Sequence, residues 1–172
     1  MEYLLVLFEY FWINKGRFIT HFCIALLLGG IVYFCSNDSL YLAHSINFHN
    51  NILSLLGVLI GFSISILTIL LSLDNRNIRE AKKENYGKVL FGKTISLFES
   101  VIIGLAYVVI LQALLLIGNF IYPIFIDIKA LSSKIWFSCN LAITIYVILL
   151  LMRTMLDFYF IITKKEDAKP KL

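Results

Sequence analysis

Few side chains in this sequence are spaced to do chemistry. His44 and His49 stand five apart with Asp38 nearby, and two imidazoles with a carboxylate can ligate a metal. The surrounding stretch, SNDSLYLAHSINFHNN, supplies no fixed scaffold, so these are read as solvent-facing loop residues and no metal is expected. Glu99, Arg153 and Asp157 fall at similar depth near the ends of two apolar runs. They are expected to form an ion-paired cluster at the inner interface, with Arg153 reaching for the headgroups; a gate or coupling site is the alternative. Gln112 lies in the middle of an uncharged run, where an unpaired amide is costly. It needs a partner on another helix, and Ser63 or Ser65 is expected to supply one.

The rest of the chemistry is missing. The sequence has no HExxH, P-loop, GxSxG or CxxC pattern. No nucleophile, base or cofactor-binding motif stands out, so no enzyme and no cofactor are expected. A proton-coupled small transporter wants a carboxylate at mid-membrane, and none is found there. The charge of +4 is clustered in a way that reports topology, not nucleic-acid binding.

The elements that must position these groups follow from composition. The 172 residues are 60% hydrophobic and 15% charged, with a mean hydropathy of +0.87. A soluble domain of this size cannot hide so much apolar surface. The expected fold is all-α: an integral-membrane four-helix bundle. The spans are placed at 18–35, 53–73, 100–122 and 135–154, with a basic loop at 74–93 and a polar tail at 164–172. Residues 1–14 are apolar and aromatic but too short to span. They are read as an interfacial helix, with a simple extension of the bundle as the alternative.

The second span carries the clearest pattern. Ser54, Gly57, Gly61, Ser65, Thr68 and Ser72 are three or four residues apart, which puts them on one stripe of one helix. In lipid, close backbone packing and hydrogen bonds hold helices together, because tails are as apolar as leucine. The stripe is therefore a tight seam against another helix of the chain, a subunit interface or a pore lining. Gln112 and Asn119 form a second polar line with Ser100 and Gly104, so the second and third spans are expected to face each other. Gly29 and Gly30 in the first span permit a close contact or a kink. Cys23, Cys35 and Cys139 read as small core residues, although Cys35 and Cys139 both fall near the outer face, where an oxidising compartment could bridge them.

Charge sets orientation. Lys15 and Arg17 precede the first span, and six basic residues (Arg76, Arg79, Lys82, Lys83, Lys88, Lys93) fill the middle segment. Four more (Lys164, Lys165, Lys169, Lys171) lie in the tail, while the outer loops carry none and two. This predicts four spans with both termini in the cytoplasm. Arg76, Arg79, Lys82 and Lys83 serve either that orientation or a soluble cytoplasmic partner.

The layout of a short N-terminal segment, four spans and a basic stretch after the second, DNRNIREAKK, resembles the small membrane components of bacterial anti-phage systems. The Kiwa membrane subunit and the Hailong membrane effector are examples. The resemblance implies a homo-oligomer in the inner membrane that works with a soluble cytoplasmic protein, by sensing envelope damage or by depolarising the membrane as a pore. A small transporter is the remaining class.

Overall fold

The computed structural model describes residues 8, 11, 14–35, 38–90, 92–125 and 131–163. Side chains at 17, 38–46, 90, 122–123, 125 and 131–133 are outside that description. Four helices are long and apolar enough to cross a membrane. They are α1 (Lys15–Cys35), α2 (Asp38–Ser72), α4 (Leu97–Phe125) and α5 (Leu131–Thr163). Between α2 and α4 lie a short helix, α3 (Arg76–Lys83), and a hairpin of β1 (Asn85–Leu90) and β2 (Lys93–Ser96).

The four long helices pack as a row. α1 lies on α5, α5 on α4, and α4 on α2, with a lighter contact of α2 on α5. Burial follows that order: 11% of the α1 span is buried against 44% of the α5 span. Leu105, Val108, Val147 and Leu150 form the centre of the core, with Leu70, Ile78 and Phe98 towards the hairpin end. The four long helices have little amphipathic contrast, because apolar side chains cover their exposed and buried faces alike.

Several elements differ from the sequence reading. The segment 36–51, expected as a loop, is helical from Asp38 and continuous with α2. Its Ser, Asn and His residues read as loop, yet a helix leaving the bilayer needs polar surface as much as a loop does. His44 and His49 are then five residues apart on a helix, about 140° around its axis, so they cannot share one ligand face. His49 is half-buried, and the side chains of Asp38 and His44 are outside the described residues. α4 runs on through Pro123 to Phe125, three residues beyond the expected end of the third span at 122. A proline in a last turn removes one hydrogen bond near an end that frays anyway.

The basic segment, expected as a loop at 74–93, holds a helix and most of a hairpin. α2 ends at Ser72, and Asn75 caps the new helix by accepting from the Ile78 N–H at 2.9 Å. The hairpin that follows was not expected, because its strands are short and charged. Gly87 and Gly92 both take φ of +73°, a region that favours glycine. Gly87 sits where the strand register shifts, and its N–H donates to Asn85 Oδ1 at 2.8 Å. Gly92 makes the turn between Leu90 and Lys93, which pair across the hairpin.

α3 covers one end of the row. Ile78 and Ala81 are buried, and Asn77 Nδ2 donates to the Ile162 carbonyl at 2.5 Å. At the N-terminus, Phe11 stacks on Phe18 and Tyr107 at 5.4 and 6.4 Å, and Asn14 is buried. The rest of the expected interfacial helix lies outside the described residues, as does the tail.

Candidate functional site

The small-residue stripe faces outward. Ser54, Gly57, Gly61, Ser65, Thr68 and Ser72 are all exposed, and a Cβ placed on Gly57 or Gly61 would meet nothing within 4 Å. Among the described residues, the expected seam within the chain is therefore not formed. The face of α2 that packs on α4 carries Ile52, Leu56, Ser63, Ile66 and Leu70 instead. It is offset from the stripe by two residues, about 200° around the helix. As an outer member of the row, α2 has one face to bury, and the bulkier side chains fill it. The stripe's hydroxyls turn back on their own backbone: Ser65 to Gly61 O at 2.8 Å, Thr68 to Ile64 O at 2.9 Å, Ser54 to Asn50 O at 3.1 Å, Ser72 to Ile69 O at 2.9 Å. The result is a smooth groove, flanked by Val58, Phe62, Ile69 and Leu71, whose polar atoms are already satisfied.

The tight glycine contact is elsewhere. A Cβ on Gly29 would lie 2.8 Å from Ala142 Cβ and 2.9 Å from the Ser138 carbonyl oxygen. The close approach expected at Gly29–Gly30 thus joins α1 to α5, and Gly30 itself has open space. Cys23, Cys35 and Cys139 are free and exposed, so they are neither core residues nor a bridge. An apolar face on an outer helix reads the same in sequence whether lipid or protein covers it.

The second polar line is buried. Asn119 and Asn140 exchange amide hydrogen bonds between α4 and α5, with Asn119 Nδ2 3.3 Å from Asn140 Oδ1. Asn119 Nδ2 also donates to Leu115 O at 2.8 Å. Asn140 was missed, although its polar side chain in a long apolar run was a readable signal. Gln112 is fully buried, and among the described residues neither its Oε1 nor its Nε2 has a hydrogen-bond partner. The expected bond to Ser63 or Ser65 is absent. Ser63 donates to Leu59 O at 2.8 Å, and Ser65 points outward. Counted from the hairpin ends of the spans, Gln112 lies about 9 Å deeper than Ser63, which explains the mismatch.

The expected Glu99–Arg153–Asp157 cluster divides into two. Arg153 Nε lies 3.5 Å from Asp157 Oδ1 on the same face of α5, an ion contact rather than a hydrogen bond. Glu99 caps α4: its Oε2 accepts from the Ser96 N–H at 2.7 Å, and its own N–H donates to Ser96 Oγ at 3.2 Å. Ser96-x-x-Glu99 before an apolar run is a capping box, a signal legible in the sequence and missed there. Lys93 adds a contact at 3.8 Å. Among the described residues no group of His, Cys, Asp and Glu could hold a metal ion.

On α3, Arg76 pairs with Glu80 at 3.3 Å and Arg79 with Asp74 at 3.5 Å, both in the open. Lys82 lies 5.0 Å over the Phe98 ring, and Lys83 is exposed. Together these features define an all-helical bundle with four helices long and apolar enough to cross a membrane, a basic cap at one end and a small-residue groove on one side. No protein-family model matches the chain, and no curated protein or solved structure is similar to it.

Proposed function

We propose that the chain is a non-enzymatic protein of the bacterial inner membrane that works as a homo-oligomer, assembled through the α2 stripe. The observation that carries this reading is the outward stripe: six small or hydroxylated residues in line, where a Cβ added at Gly57 or Gly61 would meet no other part of the described chain within 4 Å. Such a groove admits a second backbone closely, and lipid chains fill it less well. Gly61→Leu should leave the monomer folded, because the site is open, and should break the assembly. Mass photometry in nanodiscs reads the result; an unchanged assembly with a leucine at Gly61 removes the stripe from the interface. Grouped around a common axis, the same stripes would present their Ser and Thr residues to it, and a pore is the second reading. Ion flux from liposomes tests that.

The excess of Lys and Arg at both termini and on α3 supports a cytoplasmic place for them in this reading. The outer face of α3 then suits an acidic surface on a soluble partner. Its ion pairs are exposed and worth about 0–1 kcal/mol each, so a partner's carboxylates can exchange into them. Reversing Arg79, Lys82 and Lys83 to Glu should weaken that association about tenfold or more, in a salt-dependent manner. The fold should survive, because Ile78, Ala81 and the Asn77 bond hold α3 in place. Crosslinking in cells at two salt concentrations measures it, and tag accessibility separates lost docking from inverted topology. A role in anti-phage defence rests on the four-span layout alone, and phage challenge of cells with and without the protein tests it.

A further inference from the structure

Buried polarity is gathered at one contact in this bundle. Nine polar side chains are buried among the described residues, and seven of them belong to α4 and α5. Four stand on the faces these two helices turn to each other: Gln112 and Asn119 on α4, Asn140 and Thr144 on α5. The paired amides of Asn119 and Asn140 set the register of the antiparallel helices. Seven residues nearer the hairpin on each helix, Gln112 comes level with Val147. Thr144 is then about 5 Å away along the axis.

The same line continues towards the hairpin. Tyr107 on α4 and Tyr146 on α5 share a hydrogen bond. Tyr107 also lines a cavity of about 30 Å³, together with His21, Arg153, Thr154 and Asp157. That space holds about one water, and its polar walls supply the partners a buried water needs. From Asp157 to Asn140 the polar groups cover about 26 Å of α5, against a hydrocarbon core of about 30 Å. They therefore cross most of the core, given the reading of the four helices as membrane spans, on which this inference rests. Assembly through the α2 stripe plays no part in it.

Mutual hydrogen bonding accounts for Asn119 and Asn140, but not for Gln112. Its amide is fully buried, and among the described residues its donor and its acceptor are both unpartnered. Such a group is expensive in low dielectric, and in membrane helices polar residues of this kind mark ion and proton paths. An amide with both functions unused can hold a water in either orientation. No charged residue stands on α4 from Tyr107 to Phe125 or on α5 from Ser138 to Met152. A bare metal cation would find no compensating charge there, and a hydrated one does not fit a space the size of one water. A proton needs neither, because it passes along hydrogen-bonded waters by exchange of bonds. Val108 and Val147, both buried, close the contact between the cavity and Gln112. Apolar constrictions of this sort gate by excluding water. We infer that the α4–α5 contact is a gated proton path within a single chain, in which transient water links the Arg153–Asp157 cavity through Gln112 to the Asn119–Asn140 pair.

The test is proton uptake by vesicles that carry the reconstituted protein and an internal pH dye, with an inside-negative potential set by valinomycin and a potassium gradient. Wild-type chains should acidify the lumen faster than empty vesicles do, with no entry of sodium on a sodium dye. Gln112→Leu should lower uptake about tenfold, the effect of one polar contact removed from the path, while its assembly mass in nanodiscs stays that of the wild type. A pore lined by α2 stripes would keep conducting in that variant. Thr144→Val keeps the shape of the side chain and should lower uptake several-fold. No uptake above that of empty vesicles, sodium entry alongside protons, or wild-type uptake in either variant overturns the path. Failure of the chain to enter vesicles overturns the membrane reading with it.

Discussion

A leucine at Gly29 should detach α1 from the bundle, while a leucine at its neighbour Gly30 should leave the protein as it is. The first added carbon at Gly29 already falls 2.8 Å from Ala142 Cβ and 2.9 Å from the Ser138 carbonyl oxygen. That oxygen belongs to helix backbone, so it cannot turn aside; the helices must separate. Overpacking of this kind costs about 1–3 kcal/mol for one or two extra methylenes, and leucine adds more bulk than that. α1 has little to compensate with, since only 11% of its span is buried. A fall in melting temperature of about 10 °C is expected, from roughly 2–4 °C per kcal/mol in chains of this size. Even Gly29→Ala should lose several degrees, because its single methyl is the colliding atom. Gly30 meets nothing within 4 Å, so Gly30→Leu is the internal control. If the two variants melt alike in detergent, the packing of α1 on α5 described here is wrong.

This contrast marks the limit of what the sequence conveys. Four apolar runs of spanning length were legible, because the bilayer demands them whatever their neighbours are. Which face of each run meets protein was not. In soluble helices the polar face points outward and reveals the core by its absence. Here Val58 and Phe62 face outward as freely as Leu56 and Leu70 face inward, so periodicity carries no such signal. Gly57 and Gly61 form the more conspicuous motif, yet Gly29 makes the contact. The partner decides that, and Ala142 and Ser138 lie over a hundred residues away in the chain. At the hairpin end local rules apply again. The Asn75 cap, the Ser96–Glu99 capping box and the glycines of the hairpin follow from residue type and are legible within 74–99. The charge triad failed because depth alone grouped its members; Glu99 had a nearer use in capping α4.

Gln112→Leu should stabilise the protein, and Asn119→Leu should destabilise it, although both remove a buried amide from the same helix. Asn119 is fully buried, bonded to Asn140 and to the Leu115 carbonyl. Its loss leaves the Asn140 amide without that bond in low dielectric, at a cost of about 1–3 kcal/mol. Asn119→Leu with Asn140→Leu should recover most of that, and the coupling energy from the four melting curves should be about 0.5–2 kcal/mol. Gln112 has no bond to lose. Both its amide atoms are buried and, among the described residues, unpartnered, so a leucine of similar volume removes an unmet desolvation penalty of about 1–3 kcal/mol. The melting temperature should rise by several degrees. A loss of stability matching that of Asn119→Leu would mean that Gln112 does have a partner inside the bundle. A gain makes Gln112 a residue held against stability at the middle of the membrane, where polar side chains are kept for function. Liposome flux and assembly mass of the stabilised variant then identify that function. A tighter monomer that assembles but conducts nothing would move the pathway from the α2 stripe to the α4–α5 interface, with Gln112 as its central polar group.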